Sequence, residues 1–167
     1  MSDPIVIWVV DDMKDEARDA SEVVEEVASA FGGEFGVAPV VLWVDGFQWP
    51  PFANFRASVD PNAPCVSRND YPSVVILDLF KPGLTGFKLE GDVFYYELRK
   101  WEMSKPARPS FVVPWSYYQG EEAAKQFIHE AEKNDQRLIP VPTKVRSLLK
   151  RTLGELWKRI VDERDAQ

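Results

Sequence analysis

Two hydrophobic periods alternate along this chain. The first is the unbroken apolar run. Ile5-Val6-Ile7-Trp8-Val9-Val10 is apolar at every position, as expected of a parallel strand covered on both faces. Val40 to Val44, Val74 to Leu77 and Phe111 to Val113 read the same way, and Leu138-Ile139 begins a short fifth strand before Pro140-Val141-Pro142. The second is a spacing of three and four, which predicts amphipathic helices. Over residues 14 to 31 it places Ala17, Ala20, Val23, Val24, Val27, Ala28 and Phe31 on one face and Glu16, Asp19, Glu22, Glu25 and Glu26 on the other. Gly32-Gly33 is expected to end that helix. A second helix is predicted over 89 to 103 (Leu89, Val93, Phe94, Leu98, Trp101), and a third over 120 to 133 (Ala123, Ala124, Phe127, Ile128, Ala131). The last is expected to start from a Thr143 cap and to bury Val145, Leu148, Leu149, Leu153, Leu156, Trp157 and Ile160.

Strands alternating with helices predict an α/β fold, a doubly wound five-stranded parallel sheet with helices on both faces. Residues 47 to 72 break the pattern. With Pro50, Pro51, Pro61, Pro64 and Pro72 they read as an irregular insertion between strands two and three. The 167 residues fit one domain spanning 1 to 167.

Composition narrows the classes. A net charge of −7 argues against general nucleic-acid binding through phosphates. The single cysteine, Cys65, excludes an internal disulfide. No apolar run approaches the ~20 residues needed to cross a bilayer, and the first residues lack the pattern of a signal peptide. A cytoplasmic protein is expected.

The candidate chemistry lies at strand ends. Asp11-Asp12 follow the first run and Asp78 follows the third. The carboxyl ends of parallel strands are where α/β sheets hold ligands. Carboxylates gathered there need a hard cation or protons, so an acidic Mg²⁺-type pocket is expected. The plainer reading makes these solvated strand-end acids, with Asp12 capping the first helix. His129 is read as an exposed helix residue, and Cys65 lacks a neighbouring base in the sequence. No Walker-type phosphate loop occurs.

Taken in order, these residues resemble a response-regulator receiver domain of two-component signalling, as an atypical stand-alone member. The resemblance rests on the acidic pair, on Asp78 and on the loop Pro82-Gly83-Leu84-Thr85-Gly86 behind it. It also rests on a hydroxyl residue, Ser116, after the fourth strand and a proline after the fifth. It implies a flavodoxin-like sheet of order 2-1-3-4-5 and a phosphoryl group accepted on Asp78. It further implies Mg²⁺ held by Asp11, Asp12, Asp78 and the Phe80 backbone carbonyl, and Ser116 bonding a phosphoryl oxygen. The implied partners are a sensor histidine kinase or phosphotransfer protein as donor and a downstream protein as target. A homodimer is a further candidate, and neither nucleic acid nor membrane insertion is expected. The role is signalling, with catalysis limited to self-phosphorylation and self-dephosphorylation.

Two positions depart from the family pattern. Its lysine before the strand-five proline is Val141 here, and its aromatic switch residue is Leu138. Lys81 and Lys144 are the candidate substitutes. The departures support an alternative: a degenerate receiver acting as a phosphorylation-independent interaction module. A phosphatase on a similar sheet is disfavoured, because such enzymes commonly carry a second acid close behind the nucleophile, and Phe80 stands there. Phe94, Tyr95, Tyr96, Trp101, Trp115, Tyr117 and Tyr118, some of them expected in the core, and the insertion aromatics Trp49, Phe52 and Phe55 are candidate contact residues.

Overall fold

The computed structural model describes residues 5–11, 13–35, 39–45, 72–83, 86–89, 91–103, 108–117 and 120–166. The chain runs β1 (Ile5–Asp11), α1 (Lys14–Phe35), β2 (Pro39–Asp45), β3 (Val74–Leu77), β4 (Phe80–Gly83), β5 (Gly86–Leu89), α2 (Gly91–Glu102), β6 (Phe111–Pro114), α3 (Glu122–Glu132) and α4 (Arg146–Asp165). Most of the proline-rich segment, 47 to 71, lies outside the described residues, and Cys65 and the insertion aromatics with it.

The fold is α/β, built on a parallel sheet in the order β2-β1-β3-β6. Where a fifth strand was expected, one bridge joins Leu138 to Val112. Three backbone hydrogen bonds run along it: Val112 N–H to Arg137 O at 2.8 Å, Ile139 N–H to Val112 O at 2.8 Å and Val141 N–H to Pro114 O at 3.0 Å. The segment therefore lies parallel to β6.

Alternation along the strands explains the apolar runs. Ile5, Ile7, Val9, Val74, Ile76, Phe111 and Val113 pack with Ala20, Val24, Leu153 and Trp157 of α1 and α4. Val6, Trp8, Val10, Val75, Leu77 and Val112 pack with Phe94, Leu98, Phe127 and Ala131 of α2 and α3. A strand buried on both faces has no position for a polar residue until it leaves the sheet. Asp11 and Asp78 stand at those exits.

Four elements differ from expectation. Helix α1 continues through Gly32-Gly33 to Phe35, because packing rather than propensity sustains it. Phe31 lies against the core, close to Gly154 of α4. The expected loop over 81 to 86 belongs to an antiparallel hairpin, with Phe80 opposite Leu89 and Gly83 opposite Gly86. Consequently α2 starts at Gly91, after Leu89, and it leaves Val93 exposed. Helix α4 starts at Arg146 with no side-chain cap, so Thr143 does not cap it and Val145 is exposed. No helix among the described residues is long and apolar enough to cross a membrane.

Candidate functional site: an acidic pocket closed by a lysine

Strand register brings the two acids together. Val10 pairs with Leu77 across β1 and β3, and the Asp78 N–H donates to Val10 O at 3.0 Å. Asp11 and Asp78 are thus neighbours at the sheet's carboxyl edge. Both follow the alternation that faces α1 and α4. On the other side of β3, Leu77 pairs with Pro114 and accepts a hydrogen bond from the Trp115 N–H at 3.0 Å. Ser116, one residue further, is buried.

A backbone contact sets the height of Asp78. The Gly91 N–H donates to Leu79 O at 3.0 Å. A Cβ built at Gly91 would meet Leu79 Cα at 2.7 Å and the Asp78 carbonyl oxygen at 2.8 Å. Only glycine lets the start of α2 approach the strand end this closely.

Two further charges enter from the α1 and α4 side. Glu16, in the first turns of α1, contributes a third carboxylate. One oxygen from each of Asp11, Glu16 and Asp78 lies within 4.8 Å of the others. Lys144, two residues before α4, turns inward and its side chain is only 2% exposed. Its Nζ donates to Glu16 Oε2 at 2.7 Å and to Asp11 Oδ2 at 3.3 Å. The same ammonium lies 5.1 Å from the Trp115 ring centroid and 4.9 Å from that of Tyr117. Both distances suit cation–π attraction.

Burial and charge compete at this point. Desolvation and the neighbouring Asp78 push the Asp11 carboxyl up to about 8. Lys144 and the Met13 N–H, which donates to Asp11 Oδ1 at 2.9 Å, oppose that rise without cancelling it. Burial alone would lower the Lys144 ammonium. Asp78, Asp11 and Glu16 outweigh burial and hold it above its ordinary value. The lysine therefore stays charged, beside an Asp11 carboxyl that burial and Asp78 hold toward its neutral form.

The donor set suits a hard cation. Mg²⁺ takes oxygen ligands at about 2.1 Å, so oxygens on opposite sides of the ion stand about 4.2 Å apart. Adjacent ligands of that octahedron stand about 3.0 Å apart, so Asp11, Glu16 and Asp78, whose oxygens lie within 4.8 Å of one another, would have to draw together around an ion. Glu16 was read from the sequence as part of a solvated helix face. Its position five residues past Asp11 and early in α1 was the available signal.

The expected site residues distribute as follows. Asp11, Asp78 and Lys144 converge, and Ser116 is buried at the adjoining strand end. Asp12 lies outside the described residues. Phe80 and Lys81 have backbone positions in β4, opposite Leu89 and Lys88, but their side chains lie outside the described part. Val141 is 1% exposed, within the α1–α4 core, and Leu138 is 3% exposed in the opposite core. His129 is exposed on α3.

No protein-family model, curated protein or solved structure matches the chain. Its own geometry defines a class of site: an acidic strand-end cluster in a parallel α/β sheet, with one buried lysine among three carboxyl groups.

Proposed function

We propose that the protein is a phosphoacceptor signalling domain of the receiver type, in which Asp78 takes a phosphoryl group in a Mg²⁺-dependent reaction. The observation that carries this reading is Lys144. Its ammonium is buried among Asp11, Glu16 and the charge of Asp78, which supplies a cation where the Val141 position cannot. A phosphoryl group brings negative charge to a pocket that already holds several carboxylates, so positive charge must be fixed there first.

In this reading residues 137 to 141 form the fifth strand of a doubly wound sheet of order 2-1-3-4-5, counting parallel strands only. Asp11, Asp12 and Asp78 would hold Mg²⁺, which offsets phosphoryl charge when bound. The Asp78 carboxylate oxygen attacks phosphorus, and the donor's bond to phosphorus breaks with its electron pair leaving on the departing atom, the imidazole nitrogen of a phosphohistidine or the carboxylate oxygen of acetyl phosphate. An acyl phosphate results. The Ser116 hydroxyl and the Lys144 ammonium are the protein groups available to its oxygens. The donor is a histidine kinase or phosphotransfer protein, and a protein target reads the change.

The test is intrinsic fluorescence, with the Trp115 ring 5.1 Å from the Lys144 ammonium as the local reporter. Acetyl phosphate is expected to change it only with Mg²⁺ present, and not in Asp78→Asn. A change that survives Asp78→Asn would refute the reading.

One observation favours a second reading. Val141 is sealed in the core and Lys144 is already paired internally, so the pocket can be a self-satisfied ion cluster in a degenerate receiver. That reading predicts partner binding indifferent to Asp78→Asn.

A further inference from the structure

Glu16 makes the shortest contact to Lys144, 2.7 Å against 3.3 Å for Asp11. It is also the more accessible acid, its side chain 23% exposed against 5% for Asp11. Asp11 is fixed in a strand, whereas Glu16 reaches in from a helix on a flexible side chain. Lys144 is walled by Trp115 and Tyr117, which leaves the ammonium little choice beyond exchanging one oxygen partner for another. A new anion at Asp78 gains Lys144 by taking it from Glu16.

We infer that Glu16 is a positioning residue that holds Lys144 in reserve, competing with the phosphoryl group for the ammonium and so limiting how far the phosphorylated state accumulates. This rests on the phosphoacceptor reading, and it names what regulates that site. The balance is simple. The Asp78 carboxylate displaces acetate from acetyl phosphate, a P–O bond forms as another breaks, and no proton is consumed. Lys144 then exchanges the Glu16 carboxylate for a phosphoryl oxygen, and Glu16 turns to water.

The test compares wild type, Glu16→Gln and Glu16→Asp, each also in a Lys144→Met background. The readout is the phosphorylated fraction, by intact mass, against acetyl phosphate concentration at fixed Mg²⁺. With Lys144 present, Glu16→Gln is expected to lower the half-saturating concentration about tenfold, the factor set by losing one charge-assisted hydrogen bond. Glu16→Asp should restore part of the wild-type value. In the Lys144→Met background the Glu16 changes should have no effect. An equal effect in both backgrounds, or none with Lys144 present, overturns the inference.

A second measurement separates it from the phosphoacceptor reading. Exchange of the Lys144 ammonium protons with water, followed by NMR and assigned by their loss in Lys144→Met, should run several-fold faster in Glu16→Gln whether or not Asp78 accepts phosphate. An unchanged rate overturns the inference. An absence of phosphorylation in wild type overturns only the phosphoacceptor reading.

Discussion

Asp11 carries the cost of the site. Its carboxyl stands beside Asp78, out of water, and is pushed up to about 8. A carboxyl raised in the folded state favours folding while it is protonated there. That contribution is full below the unfolded value of 3.8 and is lost as pH rises through about 8. Asp11→Asn keeps an acceptor for the Met13 N–H and removes the titration. In metal-free protein the variant is expected to gain stability relative to wild type as pH rises from 4 to 8, measured by urea unfolding at each pH. A difference independent of pH would contradict this electrostatic picture. Gly91 makes the complementary point, since it matters for what it lacks. Gly91→Ala is expected to destabilise by about 1–3 kcal/mol, the usual cost of forcing an atom into filled space. It should also weaken any Mg²⁺ response, because the backbone it displaces carries Asp78. The like-charge pressure on Asp11 was legible in the sequence, because strand-end carboxylates were expected to gather; the Gly91 constraint was not. Gly91 sits among unremarkable helix residues, and its constraint comes from Leu79 and Asp78 in another element.

At the scale of elements, the strands and helix faces were legible because both face the core with a fixed period. β1 and β3 fall where the apolar runs do, and α1 buries its Ala and Val stripe as predicted. The departures share a cause: local signals were outweighed by packing. Pro82 and two glycines read as a loop, yet residues 80 to 83 pair with 86 to 89 in a two-stranded hairpin. A hairpin of two strands is all edge, where proline is tolerated. Gly32-Gly33 signals a helix stop, but α1 continues while Phe31 leans on α4. Gly154 lies across from that ring in mid-helix, and an added Cβ would stand 3.5 Å from Phe31 Cε2. That is ordinary contact, so Gly154→Ala should raise stability by up to about 1 kcal/mol through helix propensity, visible as a higher denaturant midpoint with unchanged slope. A loss of stability would mean that the α1–α4 seam needs the gap.

At the scale of the molecule, the topology assembles the site. Asp11, Asp78, Glu16 and Lys144 come from β1, the end of β3, α1 and the approach to α4. Asp11 and Lys144 are 133 positions apart in the chain. Strand-end acids can be located from sequence because a run's end is local information. Which lysine reaches them depends on the path taken after residues 137 to 141, and spacing does not contain that path. The seam between α1 and α4 continues the same pairing outward. Arg146 reaches Asp19, Glu22 and Glu26 at 3.0–3.5 Å on exposed surface, where such pairs contribute little. The buried pairing at Lys144 is the one with chemical consequence. The most direct measurement is intact mass after incubation with Mg²⁺ and acetyl phosphate, for wild type and for Asp78→Asn. One added phosphoryl group in wild type and none in the variant is the predicted result. No addition to folded wild type, or equal addition to both proteins, would contradict Asp78 as the phosphoacceptor.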